Sequence, residues 1–313
     1  MPELKRVFGA YSIGKTNIED AEKTNQVLNI LKENNIKEID TARAYGESER
    51  ILGDVSAHRT FAISTKAPTF APGSASKETL TSVISESLKL LQQDTVDIYY
   101  LHAPDTQTSF EEQASTLNEF YKKGSFKRLG ISNFSAEQVQ EFYGICKKQG
   151  YVLPSVYQGN YNAVTRNNEE KLFPVLRQLN ISFYVYSPLA GGLFAKSLED
   201  LRNPKPGTRF YPDTIPGQLY NRMYINDTFL NALELFQKIC QDEKIKPAQA
   251  AFRWLHHHSK LQQGDAIILG ASTIEQLKEN VVDSIGSTLS DKVLKGFEEM
   301  WNSVADKAPN YHM

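Results

Sequence analysis

The strongest constraint on this chain is a repeated alternation. Short apolar runs with strand-like residues recur at 7–13, 37–41, 61–66, 96–102, 126–132, 155–158, 182–186 and 266–270. Between them lie longer stretches with helical periodicity, as at Val27, Leu28 and Leu31 within 18–34. Further helices are predicted at 47–54, 168–178, 227–241 and 246–258. Their starts carry capping signals. Ser76 precedes 77–92, Ser109 precedes a helix that Gly124 ends, and Ser135 stands three residues before Gln138, a capping box. Strand–helix alternation of this kind predicts an α/β fold, a single (β/α)8 barrel spanning 1–313 as one domain.

Two stretches depart from the repeat. Residues 188–226 bear Pro188, Pro204, Pro206, Pro212 and Pro216 with several glycines, and are predicted as one long irregular loop. The loop leaves the end of the seventh strand and reads as a lid over a cofactor. After the eighth strand come two extra C-terminal helices, 273–285 and 290–305. The first begins where barrels commonly bind phosphate.

Composition excludes several classes. Net charge is −2, with no basic tract to neutralise phosphates, so nucleic acid is not an expected partner. The start, M-P-E-L-K-R, lacks the apolar core of a signal peptide. No run approaches the ~20 apolar residues of a membrane span. Cys146 and Cys240 lie far apart in polar helical contexts and read as free thiols. A cytoplasmic protein is expected. His256, His257 and His258 are consecutive on a helix and point apart, so no metal site is expected.

The chemistry-bearing residues sit at strand ends. Asp40, Lys66 and His102 close the second, third and fourth runs, and Tyr45 follows Asp40 by five positions. In a parallel barrel this edge carries the active site. A phenol acts as a general acid only if its pKa, about 10 when unperturbed, is pulled down. A nearby ammonium would do this, and a buried carboxylate would keep the ammonium charged and aimed. A histidine can orient a carbonyl oxygen. Proton donation to a carbonyl, coupled to hydride from a reduced nicotinamide, would use all four groups.

In residues and order, Asp40, Tyr45, Lys66 and His102 resemble the catalytic tetrad of the aldo-keto reductase superfamily. P-G-T-R-F-Y at 206–211, Y-N-R-M-Y at 220–224, S-T-x-x-Q-L-x-x-N at 272–280, and the tail from Trp301 are similar to the aflatoxin-aldehyde-reductase subgroup. That resemblance implies NADPH-dependent reduction of aromatic, dialdehyde or semialdehyde substrates, with Tyr45 as proton donor and a homodimer as the assembly. It also implies that Ser132, Asn133 and Gln158 bind the nicotinamide carboxamide, and that Tyr186 stacks on the ring. Ser187, Leu189 and Gly191, in Y-S-P-L-A-G-G-L, would line the pyrophosphate, where Gly191 and Gly192 permit close backbone approach. Ser272 or Thr273 opens a helix whose free N–H groups suit a phosphate, with Gln276 and Asn280 one turn apart on one face.

Two departures from the family pattern stand out. Many members carry a Lys and an Arg where this chain has Gly270 and Gln276. Arg209 is the expected substitute charge for a 2′-phosphate; Lys196, Arg202 and Lys205 are the other cations in that loop. The first strand also starts early, leaving little room for the hairpin that plugs the barrel floor in many members. The alternative function on the same fold is a nucleotide-binding partner protein, as in potassium-channel β-subunits. It would favour an added N-terminal segment, which is not expected here, and would not require a complete tetrad.

Overall fold

A computed structural model describes residues 4–15 and 17–312. Eight parallel strands close into a barrel in chain order: β1 (Lys5–Gly9), β2 (Glu38–Asp40), β3 (Ala62–Ala67), β4 (Val96–Leu101), β5 (Phe126–Ser132), β6 (Pro154–Asn160), β7 (Ser182–Tyr186) and β8 (Ala266–Gly270). Closure comes from β1 pairing β8, with Lys5 opposite Ala266 and Gly9 opposite Gly270. Helices wrap the outside, and the predicted caps form. Ser76, Ser109 and Ser135 accept the N–H groups of Thr79, Glu112 and Gln138, and Gln138 bonds back to complete the capping box.

The strands are apolar because both their faces are buried. Strand β4 shows the alternation. Ile98 and Tyr100 point into the barrel beside Val7, Val156, Tyr184, Ala266 and Ile268, while Tyr99 and Leu101 join the larger layer beneath the helices. Gly130 makes room inside. A Cβ there would lie 2.2 Å from the Tyr100 ring, so only glycine lets that ring fill the barrel. The floor below is closed by charge. Arg128 Nη2 lies 2.5 Å from Asp97 and 3.8 Å from Glu38, Lys5 Nζ meets Glu38 at 3.0 Å, and the Tyr184 hydroxyl donates to Glu38 at 3.1 Å.

Three expectations change. Strand one does not run to residue 13. Its pairing with both neighbours stops at Gly9, and Ala10–Ser12 form a 3-10 turn that carries the chain over the rim. Residues 188–226 are not irregular throughout. They contain a kinked 3-10 segment, Ala190–Ala195, and helices Leu198–Arg202 and Ile215–Tyr224, whose N-caps Ser197 and Thr214 satisfy free N–H groups. Prolines tolerated in a first helical turn, such as Pro216, had disguised the second helix. Cys146 and Cys240 are free thiols, but on the buried faces of their helices rather than in polar surroundings; burial pushes each up to about 12. No helix among the described residues is long and apolar enough to cross a membrane.

Candidate active site

The C-terminal rim gathers residues from several strands. Asp40 ends β2 and Lys66 lies near the end of β3, both buried. Lys66 Nζ donates to Asp40 Oδ2 at 2.6 Å and to the Thr41 carbonyl at 2.8 Å, and Gln158 Nε2 donates to Asp40 Oδ1 at 2.8 Å. Burial disfavours both charges, pushing Asp40 up and Lys66 down, while each partner pulls the other back. With both oxygens of the carboxylate engaged, the pair is oriented as well as neutralised.

Tyr45 follows β2 on a 3-10 turn, Arg43–Tyr45, and lies above this pair. Lys66 Nζ is 5.1 Å from its ring centroid, and the His102 ring stands edge-on at 5.9 Å. His102 follows β4. Its backbone N–H donates to Ala67 and its carbonyl accepts from Asn133 Nδ2 at 2.8 Å. Its ring Nδ1 is buried with no hydrogen-bond partner. Burial, with help from Lys66, holds the imidazole well below the usual histidine range, so it stays neutral at pH 7.

The phenol departs from the sequence expectation. Burial, with the Asp40 charge adding, lifts Tyr45 well above an ordinary phenol, and the cation that opposes this most is Arg209 rather than Lys66. Lys66 is committed to Asp40 and to the Thr41 carbonyl beneath the ring. Tyr45 therefore holds its proton firmly.

Beside this group, Ser132 and Asn133 end β5, and Tyr186 ends β7. Asn133 Nδ2 also donates to Ser132 Oγ at 3.1 Å, and the Tyr186 hydroxyl donates to Asn133 Oδ1 at 2.8 Å. The structure thus brings Asp40, Tyr45, Lys66, His102, Ser132, Asn133, Gln158 and Tyr186 together. Ser187, in left-handed backbone, bonds the Tyr220 hydroxyl at 2.6 Å, and Leu189 and Gly191 follow on the turn. On the loop after β8, the Ser272 N–H donates to Gln276 Oε1 at 3.0 Å and Asn280 Nδ2 donates to the Gly270 carbonyl at 2.9 Å. Thr273, not Ser272, is the N-cap of helix Ile274–Asp283. Arg209 stands over the rings of Tyr11 and Tyr220, and no hydrogen bond or ion pair joins it to residues 270–280 among the described residues.

Sequence reading missed part of the rim. Tyr11 packs edge-on against Tyr45 at 5.2 Å, and Phe70, an exposed aromatic, lies 4.5 Å from the His102 ring. Both follow the ends of strands, β1 and β3, so the rule that located Asp40 and His102 could have found them.

The profile of the aldo/keto reductase family matches residues 6–302. The chain belongs to that family. It is 38% identical to the oxidoreductase sirO of Leptosphaeria maculans, over 93% of this chain and 89% of that protein. It is 37% identical to aflatoxin B1 aldehyde reductase member 2 of Mus musculus (97% and 86%) and to aldo-keto reductase family 7 member A3 of Homo sapiens (97% and 96%). This aldo-keto reductase is therefore an oxidoreductase of the C=O/CH–OH couple, and its family works with NAD(P)H. The donor set fits such a cofactor. Side-chain amides and a hydroxyl converge beside a half-buried tyrosine ring, positive-φ glycines open the next turn, and a capped helix N-terminus lies on the neighbouring loop.

Proposed function

We propose that this reductase converts aldehydes to primary alcohols with NADPH, and that Tyr45 donates the proton. The observation that carries the reading is the closed Asp40–Lys66 pair lying beneath a protonated Tyr45, with a neutral His102 edge-on beside it. When bound, a reduced nicotinamide supplies hydride. The side chains do the rest. Tyr45 and His102 flank the space where a carbonyl oxygen can sit, and His102 orients that oxygen without competing for a proton. Tyr45 delivers its proton as negative charge develops there. Lys66, fixed by Asp40 and the Thr41 carbonyl, then offsets the charge left on the phenolate.

Ser132, Asn133 and Gln158 frame the carboxamide, and Tyr186 presents its ring. Ser187, Leu189 and Gly191 hold the pyrophosphate under a lid formed by 188–226. The helix N-terminus at Thr273, with Ser272, Gln276 and Asn280, takes the adenosine end. What supports NADPH over NADH is the subgroup resemblance together with this N-terminus, since free N–H groups and the helix dipole favour a phosphate.

Tyr45→Phe tests the reading. Turnover of 4-nitrobenzaldehyde should fall by at least the ~10²-fold typical of a lost general acid. Binding of NADPH, followed by its fluorescence, should persist. Nearly unchanged turnover would remove Tyr45 from the mechanism. Titrating NADPH against NADH tests the cofactor assignment, and equal affinities would overturn it.

A further inference from the structure

The segment after Tyr45 carries three carboxylates with two fates. Glu47 and Asp54 are exposed, and each pairs with Arg50 at 2.6 Å. Glu49 lies between them on helix Ser48–Asp54 and is wholly buried. A carboxylate taken out of water is costly unless it is paired or hydrogen-bonded, and an apolar side chain of like volume would avoid that cost.

The partners of Glu49 show what the charge is for. Its Oε1 accepts from the Thr65 hydroxyl at 2.6 Å. Its Oε2 makes no hydrogen bond and lies 3.9 Å from Arg43 Nε. Thr65 immediately precedes Lys66 on β3, and by strand alternation it faces the helices while Lys66 faces the barrel interior. Arg43 opens the 3-10 turn Arg43–Tyr45, and Glu49 lies on the helix into which that turn leads. One buried carboxylate therefore ties both ends of the Tyr45 turn to the strand position beside Lys66. Ser48 adds a second tie. Its hydroxyl bonds Thr41 Oγ1 at 2.8 Å and donates to the Ala10 carbonyl at 3.0 Å, and the Thr41 carbonyl accepts from Lys66 Nζ. The Glu49 charge also favours the ammonium form of Lys66, after that of Asp40. No hydrogen bond or ion pair joins Glu49 to Tyr45 or His102 among the described residues.

We infer that Glu49 is a positioning residue for the proton transfer: through Thr65 and Arg43 it fixes the Tyr45 turn over Lys66, so that the phenol and the ammonium keep the spacing the transfer needs. This inference rests on Tyr45 being the proton donor. Glu49 then acts on the rate through Tyr45 and leaves cofactor binding alone.

The test follows the full chain, loaded with NADPH, through a single turnover of 4-nitrobenzaldehyde. Glu49→Gln keeps an acceptor for Thr65 and removes the charge facing Arg43. It should slow the chemical step about tenfold, short of the ~10²-fold that an ångström of misplacement can cost. Arg43→Gln, at a half-buried position, cuts the same link from the other side and should slow the step in the same direction. The NADPH dissociation constant should not change in either variant. A second comparison separates positioning from general damage to the fold. Beside Tyr45→Phe the phenol is already gone, so Glu49→Gln should cost little more. A quinone, whose reduced anion is stabilised by resonance and needs little proton donation, carries the same comparison where the residual aldehyde rate is too slow to follow. Glu49→Gln should slow the aldehyde and spare the quinone. The inference fails if Glu49→Gln leaves the single-turnover rate unchanged, or if its loss is undiminished beside Tyr45→Phe. It also fails if aldehyde and quinone slow equally, or if NADPH binding weakens by the same factor. A misfolded Glu49→Gln would show in its thermal melt, and Arg43→Gln then carries each comparison. Failure of the underlying reading looks different: Tyr45→Phe alone leaves the rate nearly unchanged.

Discussion

The two ends of the barrel treat charge in opposite ways. At the floor, Lys5, Glu38, Asp97 and Arg128 each face an opposite charge, and the Tyr184 hydroxyl adds a further bond. Nothing there is left to recruit. At the C-terminal rim the innermost pair, Asp40 and Lys66, is closed. Above it the His102 ring has a buried nitrogen without a partner, and Lys15 and Arg209 have no counter-ion among the described residues. The same residue types thus build a plug at one end and an open site at the other. Compensation marks structure, and its absence marks where a ligand completes the set.

The largest expected effect is at the closed rim pair. Lys66→Met leaves Asp40 buried without its cation, which should cost about 3–5 kcal/mol in chemical denaturation and abolish turnover. Asp40→Asn should cost activity similarly. The double variant removes both charges, so its stability loss should fall well short of the sum of the singles. Additive losses would mean that the two side chains act separately.

The floor provides the contrast. Arg128→Met strips Asp97 of its partner, but these groups are partly solvated, so about 1–3 kcal/mol is expected. Turnover per folded molecule should not change. A large fall in kcat would mean that the floor reaches the chemistry, and the contrast between the ends would break.

Much of this layout was legible in the sequence, for identifiable reasons. Strands β5, β7 and β8 fall where predicted because each is buried on both faces and bounded by turn residues. Asp40, Lys66 and His102 were legible because a charged or imidazole side chain at the end of an apolar run has little other reason to be there. What escaped depended on long-range geometry. The direction of the Tyr45 shift reverses because burial, with the Asp40 charge adding, outweighs the cations nearby, and burial of a loop residue is not shown by strand positions alone. The placement of Arg209 on Tyr11 joins residues nearly two hundred positions apart. The helix Ile215–Tyr224 was hidden by proline and glycine, read as breakers although both lie in its first turn.

Gly191 offers a subtler probe of the open end. Its backbone is left-handed, at φ +71, and an added Cβ would lie 2.3 Å from the Tyr220 ring. Gly191→Ala should therefore cost about 1–2 kcal/mol from backbone handedness alone. Displacing Tyr220 should also disturb its bond to Ser187 and raise KM for the cofactor more than it lowers kcat. If stability falls while cofactor KM holds, the turn 187–192 does not bind the pyrophosphate.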